Sequence, residues 1–77
     1  MLTIQIQIRS VYGKEIAYPM NDEAHCVARI ANTKTLTRYA LMQVLGMGAT
    51  IVELDRHGGE SRRYVGARQA NSLPMVA

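Results

Sequence analysis

Hydrophobic and polar residues alternate without interruption over the first segment of the chain, Leu2–Arg9. One face carries Leu2, Ile4, Ile6 and Ile8, and the other carries Thr3, Gln5, Gln7 and Arg9. A period of two that is rich in β-branched side chains is typical of a half-buried strand. The pattern predicts a strand with one face against a core and a polar outer face.

A second alternating segment follows a turn that contains glycine. We expect residues 10–14 to form the turn, because Gly13 tolerates positive φ. Glu15–Met20 then alternates, with Ile16, Tyr18 and Met20 on one side. Pro19 has no N–H to donate to a ladder, which favours an edge strand. The two segments therefore predict a β-hairpin with the second strand at the edge.

Two short helices are predicted next. Asn21 is a suitable N-cap for the first, whose apolar stripe is Ala24, Val27, Ala28, Ile30 and Ala31. Asn32 is expected to end this helix in the left-handed conformation. Thr37 is the predicted N-cap of the second helix, with Leu36 and Leu41 as a hydrophobic staple. Its apolar face is Ala40, Leu41, Val44 and Leu45, with Tyr39 at the flank.

The remaining pattern completes an α+β fold of type ββααβ(β). Ala49–Leu54 predicts a third strand, with either Val52 and Leu54 or Ala49 and Ile51 towards the core. Ser61–Val65 is consistent with a fourth strand paired with the third. The sheet order is then 2-1-3, or 2-1-3-4 with the fourth strand, and both helices cover the isoleucine face of strand 1. We expect one domain over residues 1–65 and a flexible tail over residues 66–77, which lack periodicity.

The composition narrows the class of protein. A chain of 77 residues forms one domain, near the size at which a core alone contributes ~3–5 kcal/mol. A homodimer is one source of extra stability. The single cysteine cannot form an internal disulfide, which suits a reducing compartment. The N-terminus alternates instead of forming an apolar run, so we expect neither a signal peptide nor a membrane span. The prediction is a cytoplasmic protein with no membrane partner.

Catalytic and metal-binding patterns are weak. Adjacent His25 and Cys26 point ~100° apart on a helix and cannot share a metal without distortion. We expect Cys26 to be a small packing residue and His25 to lie at the surface. Two acidic pairs remain, Asp22 with Glu23 and Glu53 with Asp55. Helix capping and solvation account for both pairs, so we predict no enzyme activity and no metal.

The glycines do not form a phosphate-binding loop. Gly46 and Gly48 follow a helix and precede a strand, whereas a Walker loop needs Gly-Lys-Ser/Thr at the start of a helix. Gly58 and Gly59 belong to a predicted turn. The sequence therefore predicts no cofactor.

The excess positive charge lies at the C-terminal end. The net charge is +3, and residues 56–77 hold the whole excess. They carry Arg56, Arg62, Arg63 and Arg68 against Glu60. Arginine binds phosphate bidentately, and Tyr64 inside the cluster is a candidate for stacking on a base. The hypothesis is a contact with nucleic acid; the alternative is a solvated basic tail.

The outer face of strand 1 offers a second candidate contact surface through Gln5, Gln7 and Arg9. A base-stacking sheet needs aromatic residues, and this face of the strand has none. We expect a solvated face or a protein-binding face. An exposed edge strand is a further candidate for pairing with a partner or with a second copy.

Several short motifs resemble small bacteriophage and prophage accessory proteins. They are Val11-Tyr12-Gly13, Tyr18-Pro19, Thr33-Lys34-Thr35-Leu36-Thr37 and Leu45-Gly46, within residues 2–54. The resemblance implies a compact protein of a mobile element in a bacterial cytoplasm that binds and inhibits a host machine. Anti-CRISPR proteins are one class of this size. It implies no catalytic residues.

The sequence thus supports two hypotheses. The first is a non-enzymatic module that binds a host protein or nucleoprotein complex. The second is a small nucleic-acid-binding protein that uses the C-terminal arginines.

Overall fold

The computed structural model describes residues 2–76 as a four-stranded sheet with a helical layer on one face. The strands are β1 (Thr3–Val11), β2 (Lys14–Pro19), β3 (Thr50–Leu54) and β4 (Glu60–Val65). The helices are α1 (Asp22–Ile30), α2 (Arg38–Gly46) and a C-terminal 3₁₀-helix (Ala67–Ser72). The order is β2-β1-β3-β4, with β1 parallel to β3 and the other neighbours antiparallel. The predicted α+β class, including the fourth strand, is confirmed.

The register of the β1–β2 hairpin is set by a two-residue turn. Tyr12 and Gly13 have φ of 51° and 79°, and two positive values match the twist of a tight hairpin. Arg9 consequently pairs with Ile16, and Gln7 with Tyr18. Register partners share a face, so Tyr18 lies on the polar face of β1. Strand β1 itself has no aromatic residue on this face, as predicted, but β2 adds Tyr18 beside it.

Asn21 joins the end of this hairpin to the first helix. Its Oδ1 accepts hydrogen bonds from the backbone N–H of Ala24, as an N-cap, and of Gln5, at 2.9 and 3.2 Å. Its Nδ2 donates to the carbonyl of Thr3 at 2.9 Å. One side chain thereby caps α1 and continues the ladder along β1 beyond the last residue of β2.

The core lies between the helices and the isoleucine face of β1. Its largest fully buried side chains are Ile4, Ile6, Leu36, Leu41, Leu45 and Ile51. Thr37 caps α2 by accepting a hydrogen bond from the N–H of Ala40 at 3.1 Å, and Asn32 has a φ of 58° after the end of α1. The predicted N-cap of the second helix and the predicted left-handed end of the first are therefore confirmed. On β3, Ala49 and Ile51 belong to the core, whereas Val52 is buried on the opposite face.

The first helix uses a narrower apolar face than predicted. Ala24 and Ala28 face the core, whereas Ile30 is 86% exposed, so the part of the predicted stripe that includes Ile30 is wrong. Cys26 is also exposed, contrary to the packing prediction. It lies about 200° around the helix from Ala24, and its Sγ accepts from Arg29 at 3.3 Å.

The prediction of a flexible tail after residue 65 is corrected, because residues 67–76 pack against the rest of the domain. Leu73 and Val76 are buried members of the core. The Arg38 guanidinium on α2 donates to the carbonyls of Ala70 and Leu73 at 3.3 and 3.5 Å. The sequence gives no signal for this segment, because a short 3₁₀-helix followed by two isolated apolar anchors has no periodicity.

We predict that Asn21→Ala lowers the free energy of unfolding by about 2–3 kcal/mol, since it removes a helix cap and two hydrogen bonds to β1. Asn21→Ser should recover about 1 kcal/mol, because serine caps a helix but its side chain is too short to form the hydrogen bonds to β1 as well. Urea unfolding measures both. An Asn21→Ser variant as stable as the wild type would show that the cap alone accounts for the effect.

We predict that Leu73→Ala destabilises the domain by about 2–4 kcal/mol, because it leaves a cavity in the core. Met75→Ala is the matched control, since Leu73 is 4% exposed and Met75 is 79% exposed. The control should change stability by less than about 0.5 kcal/mol. Thermal or urea unfolding that gives two equal midpoints would restore the flexible-tail prediction.

Candidate functional site

The structure does not bring the C-terminal arginines into one cluster. Arg62 and Arg63 are neighbours on β4 and point to opposite faces of the sheet. Arg68 is on the 3₁₀-helix, and Arg56 is in the β3–β4 turn. Tyr64 is 2% exposed inside the core, so its predicted role in stacking on a base is wrong.

The other predicted contact residues lie on the face of the sheet opposite the helices, which we call the open face. By register it includes Gln5, Gln7 and Arg9 of β1, Ile16 and Tyr18 of β2, Val52 and Leu54 of β3, and Arg63 of β4. No helix of the described residues packs against this face.

Arg9 is held in place on the open face. Its Nε donates to Oε1 of Gln7 at 2.7 Å, and its guanidinium carbon lies 5.3 Å from the centre of the Tyr18 ring. Gln7 is itself fixed, because its Nε2 donates to the Asp55 carbonyl at 2.8 Å. The arginine is therefore oriented by one hydrogen bond and one cation–π contact. No other hydrogen bond to its side chain is present within residues 2–76, so both Nη groups are available to a ligand.

A cleft adjoins Arg9 at the carboxyl end of the parallel strands. β3 ends at Leu54, opposite Gln7, whereas β1 continues to Val11. The difference in strand length leaves a cleft beyond the end of β3, which we call the sheet cleft. Its volume is about 510 Å³. Its lining consists of Gln7, Ile8, Arg9, Ser10, Leu54, Asp55 and Arg56. Two arginines and Asp55 thus line one concave surface.

The carboxylate in the sheet cleft already has partners in the turn. Asp55 Oδ1 accepts from the backbone N–H of His57 and of Gly59, both at 2.9 Å. Gly58 adopts φ of 84° in this turn. A Cβ on Gly59 would come within 3.3 Å of the same carboxylate. Asp55 therefore has a structural role in shaping the turn that presents Arg56.

The positive charge of the protein is concentrated on the open face. This face and its cleft hold four cations, Arg9, Lys14, Arg56 and Arg63. The carboxylates there are Glu60, which pairs with Arg63 at 2.8 Å, and Asp55. The remaining charged residues, five cations and four acids, are distributed over the helices, the helix-side strand positions and the turns. The open face and its cleft therefore have a net charge of +2, and Arg9 and Lys14 of the hairpin contribute as many cations as Arg56 and Arg63 of the C-terminal segment.

The helical layer carries a different surface, an apolar groove between α1 and α2. This helix groove has a volume of about 550 Å³, and its lining includes Leu2, Val27, Ile30, Tyr39, Val44 and Met47. Ile30, Tyr39 and Met47 are 86%, 72% and 81% exposed. Their concentration around one groove differs from the scattered exposure of single apolar residues that is normal at protein surfaces.

Basic residues border one end of the helix groove. Thr33 lines both the groove and a neighbouring shallow depression, which is also lined by Arg29, Asn32 and Lys34. No carboxylate is among the described residues that line either of them. The surface thus combines an apolar centre with a basic end.

The residues considered for catalysis do not assemble. His25 and Cys26 are both exposed on α1, and Asp22 and Glu23 occupy its first turn. Within residues 2–76, no three His, Cys, Asp or Glu side chains are grouped so as to hold a metal ion.

Each edge of the sheet has a backbone group that is already hydrogen-bonded within the protein. The outer edge of β2 is partly covered, because the N–H of Leu36 donates to the carbonyl of Ala17 at 2.9 Å. On β4, the Gln69 side chain accepts from the N–H of Val65. Both contacts occupy backbone groups that strand pairing with a partner would need.

Comparison of the chain with protein-family models, curated proteins and solved structures gave no match. None of the helices in the described part of the chain has the length and hydropathy to cross a membrane. The similarity to phage accessory proteins thus remains a prediction.

Sequence reasoning missed Tyr18 and Lys14 on the open face and the exposed residues of the helix groove. For Tyr18 and Lys14 a signal existed: a two-residue turn at Tyr12-Gly13 fixes which face each β2 residue occupies. For Ile30 no such signal existed, because its spacing from Val27 fits a core stripe.

We predict that Arg63→Gln raises the pKa of Glu60 towards its ordinary value, since hydrogen bonds from Arg63 and its charge lower that pKa. The wild-type pair stabilises the fold above the ordinary pKa of a glutamate, and this contribution is lost as the pH falls through the lowered value. Carboxyl NMR titration measures the change. Arg62→Gln is the control on the opposite face, and an equal effect there would contradict the assignment.

Proposed function

We propose that this protein is a non-enzymatic binding module that docks on a partner protein through the helix groove. The observation that carries the proposal is the group of exposed apolar side chains, Ile30, Tyr39 and Met47, around one concave surface. Large apolar side chains around a groove are typical anchors of protein interfaces.

The chemistry of the groove favours an amphipathic helix as the occupant. The α2 wall of the groove runs the length of the nine-residue helix, about 13 Å, equivalent to two to three turns of a bound helix, and the end of α1 forms the opposite wall with Val27 and Ile30. Apolar residues on one stripe of such a helix fill the groove. An acidic residue at one end complements Arg29 and Lys34.

The resemblance to phage accessory proteins extends the proposal to the partner's identity. We propose a host protein or nucleoprotein complex in a bacterial cytoplasm, inhibited by occupation of its surface. An inhibitor of a CRISPR complex is one candidate of this kind. The second hypothesis, nucleic-acid binding by the C-terminal arginine cluster, is not favoured, since these arginines lie on separate surfaces.

Affinity capture from bacterial lysate, with and without nuclease, tests the proposal. We predict that the wild type retains a stoichiometric protein after nuclease treatment. The double variant Ile30→Glu/Met47→Glu should bind that protein at least about 30-fold more weakly, because interface anchors contribute ~2 kcal/mol or more. Titration with the purified partner measures the difference.

The matched control is Tyr12→Glu/Met75→Glu, which adds the same charge at exposed residues outside the groove. It should bind like the wild type. Equal binding by the groove variant would contradict the proposal. Light scattering would also contradict it if the wild type were a dimer and the groove variant a monomer, since the groove would then bind a second copy.

A further inference from the structure

We infer that the open face binds single-stranded nucleic acid, with phosphates at Arg9 and Arg56 and a base against the Arg9–Tyr18 pair. This surface is distinct from the helix groove, because the helices cover the other face of the sheet. The inference therefore does not depend on the proposed docking function.

The first argument is the distribution of charge. Four cations face two carboxylates on the open face, and both carboxylates have partners within the protein: Glu60 with Arg63, and Asp55 with backbone N–H groups. The sheet cleft then holds Arg9 and Arg56 against the single negative charge of Asp55, and the open face with its cleft keeps a net charge of +2. A polyanion complements this surface.

The second argument is the preorganisation of Arg9. The hydrogen bond from Nε to Gln7 and the contact with Tyr18 hold the guanidinium plane in place, while both Nη groups remain available. A planar guanidinium that is already held in place can bind a phosphate through two hydrogen bonds. The side chain then loses little conformational freedom on binding.

The third argument separates single strands from duplexes and from acidic proteins. Tyr18 and the guanidinium of Arg9 form a stacked pair on an uncovered sheet, and a base stacks on such a surface if it is unpaired. In a duplex the base faces are already occupied by neighbouring bases. An acidic protein segment also pairs with the arginines, but it has no base to stack on the Arg9–Tyr18 pair.

Fluorescence anisotropy with labelled oligothymidylate and oligouridylate of about 15 nucleotides tests the inference. At low salt we expect binding by the wild type. Arg9→Gln/Arg56→Gln should weaken it at least about tenfold and reduce the slope of log affinity against log salt by about 1.4, or about 0.7 for each phosphate contact. Tyr18→Leu should weaken binding by about tenfold without changing the slope.

Two controls match these variants. Arg62→Gln/Arg68→Gln removes the same charge from residues outside the open face, and Tyr39→Leu removes an exposed tyrosine from the helix groove. Both should bind within about twofold of the wild type. Arg9→Lys should retain the salt slope but bind more weakly, since it keeps the charge without the planar fork. Circular dichroism and urea midpoints establish that each variant is folded.

Three results would overturn the inference. The first is absence of oligonucleotide binding by the folded wild type at low salt. The second is an equal loss of affinity in the Arg62/Arg68 control pair, which would indicate attraction by net charge alone. The third is equal binding of a duplex, or displacement of the oligonucleotide by polyglutamate at the same charge concentration, which would exclude a role for base stacking.

Discussion

The register of the β1–β2 hairpin determines what each surface of this protein presents. A slip of one residue moves every side chain of β2 to the other face of the sheet, which would place Tyr18 against the helices and Ala17 in solvent. Two features at opposite ends of the hairpin hold the register. Tyr12 and Gly13 form a turn with two positive φ values, and the Asn21 side chain binds both the N–H of Gln5 and the carbonyl of Thr3. The core and the basic face therefore depend on the same local constraint.

The small residues of α1 explain how a well-packed domain leaves an apolar groove. Ala24 and Ala28 bring the backbone of α1 close to the sheet and fill the space beneath it, so the larger Ile30 has no place in the core. On α2, Leu41, Val44 and Leu45 supply the buried volume. A 77-residue chain has little stability to spare, and exposed Ile30 and Met47 contribute nothing to it by burial in this structure. Their exposure is what the proposed docking function requires.

The pattern of hydrophobic and polar residues was sufficient to predict the fold but not to predict which residues share a surface. The reason differs from residue to residue. The alternation of β1, the caps Asn21 and Thr37, and Pro19 at the edge led to the observed topology, because these signals are local. Tyr64 was misassigned because it directly follows two arginines, Arg62 and Arg63, whereas alternation along β4 places it in the core. Leu73 and Val76 were missed because isolated anchors have no period. The pairing of Arg9 with Tyr18 is a cross-strand contact and follows only from the hairpin register.

The position of the two surfaces on opposite faces of the sheet has an energetic consequence. A ligand on one face does not occlude the other, and the intervening β1 is fixed by pairing on both sides, so substitutions on the two faces should act independently. If both surfaces contact one nucleoprotein complex, the second contact forms within the already bound assembly. The two affinities then combine through an effective concentration instead of acting separately.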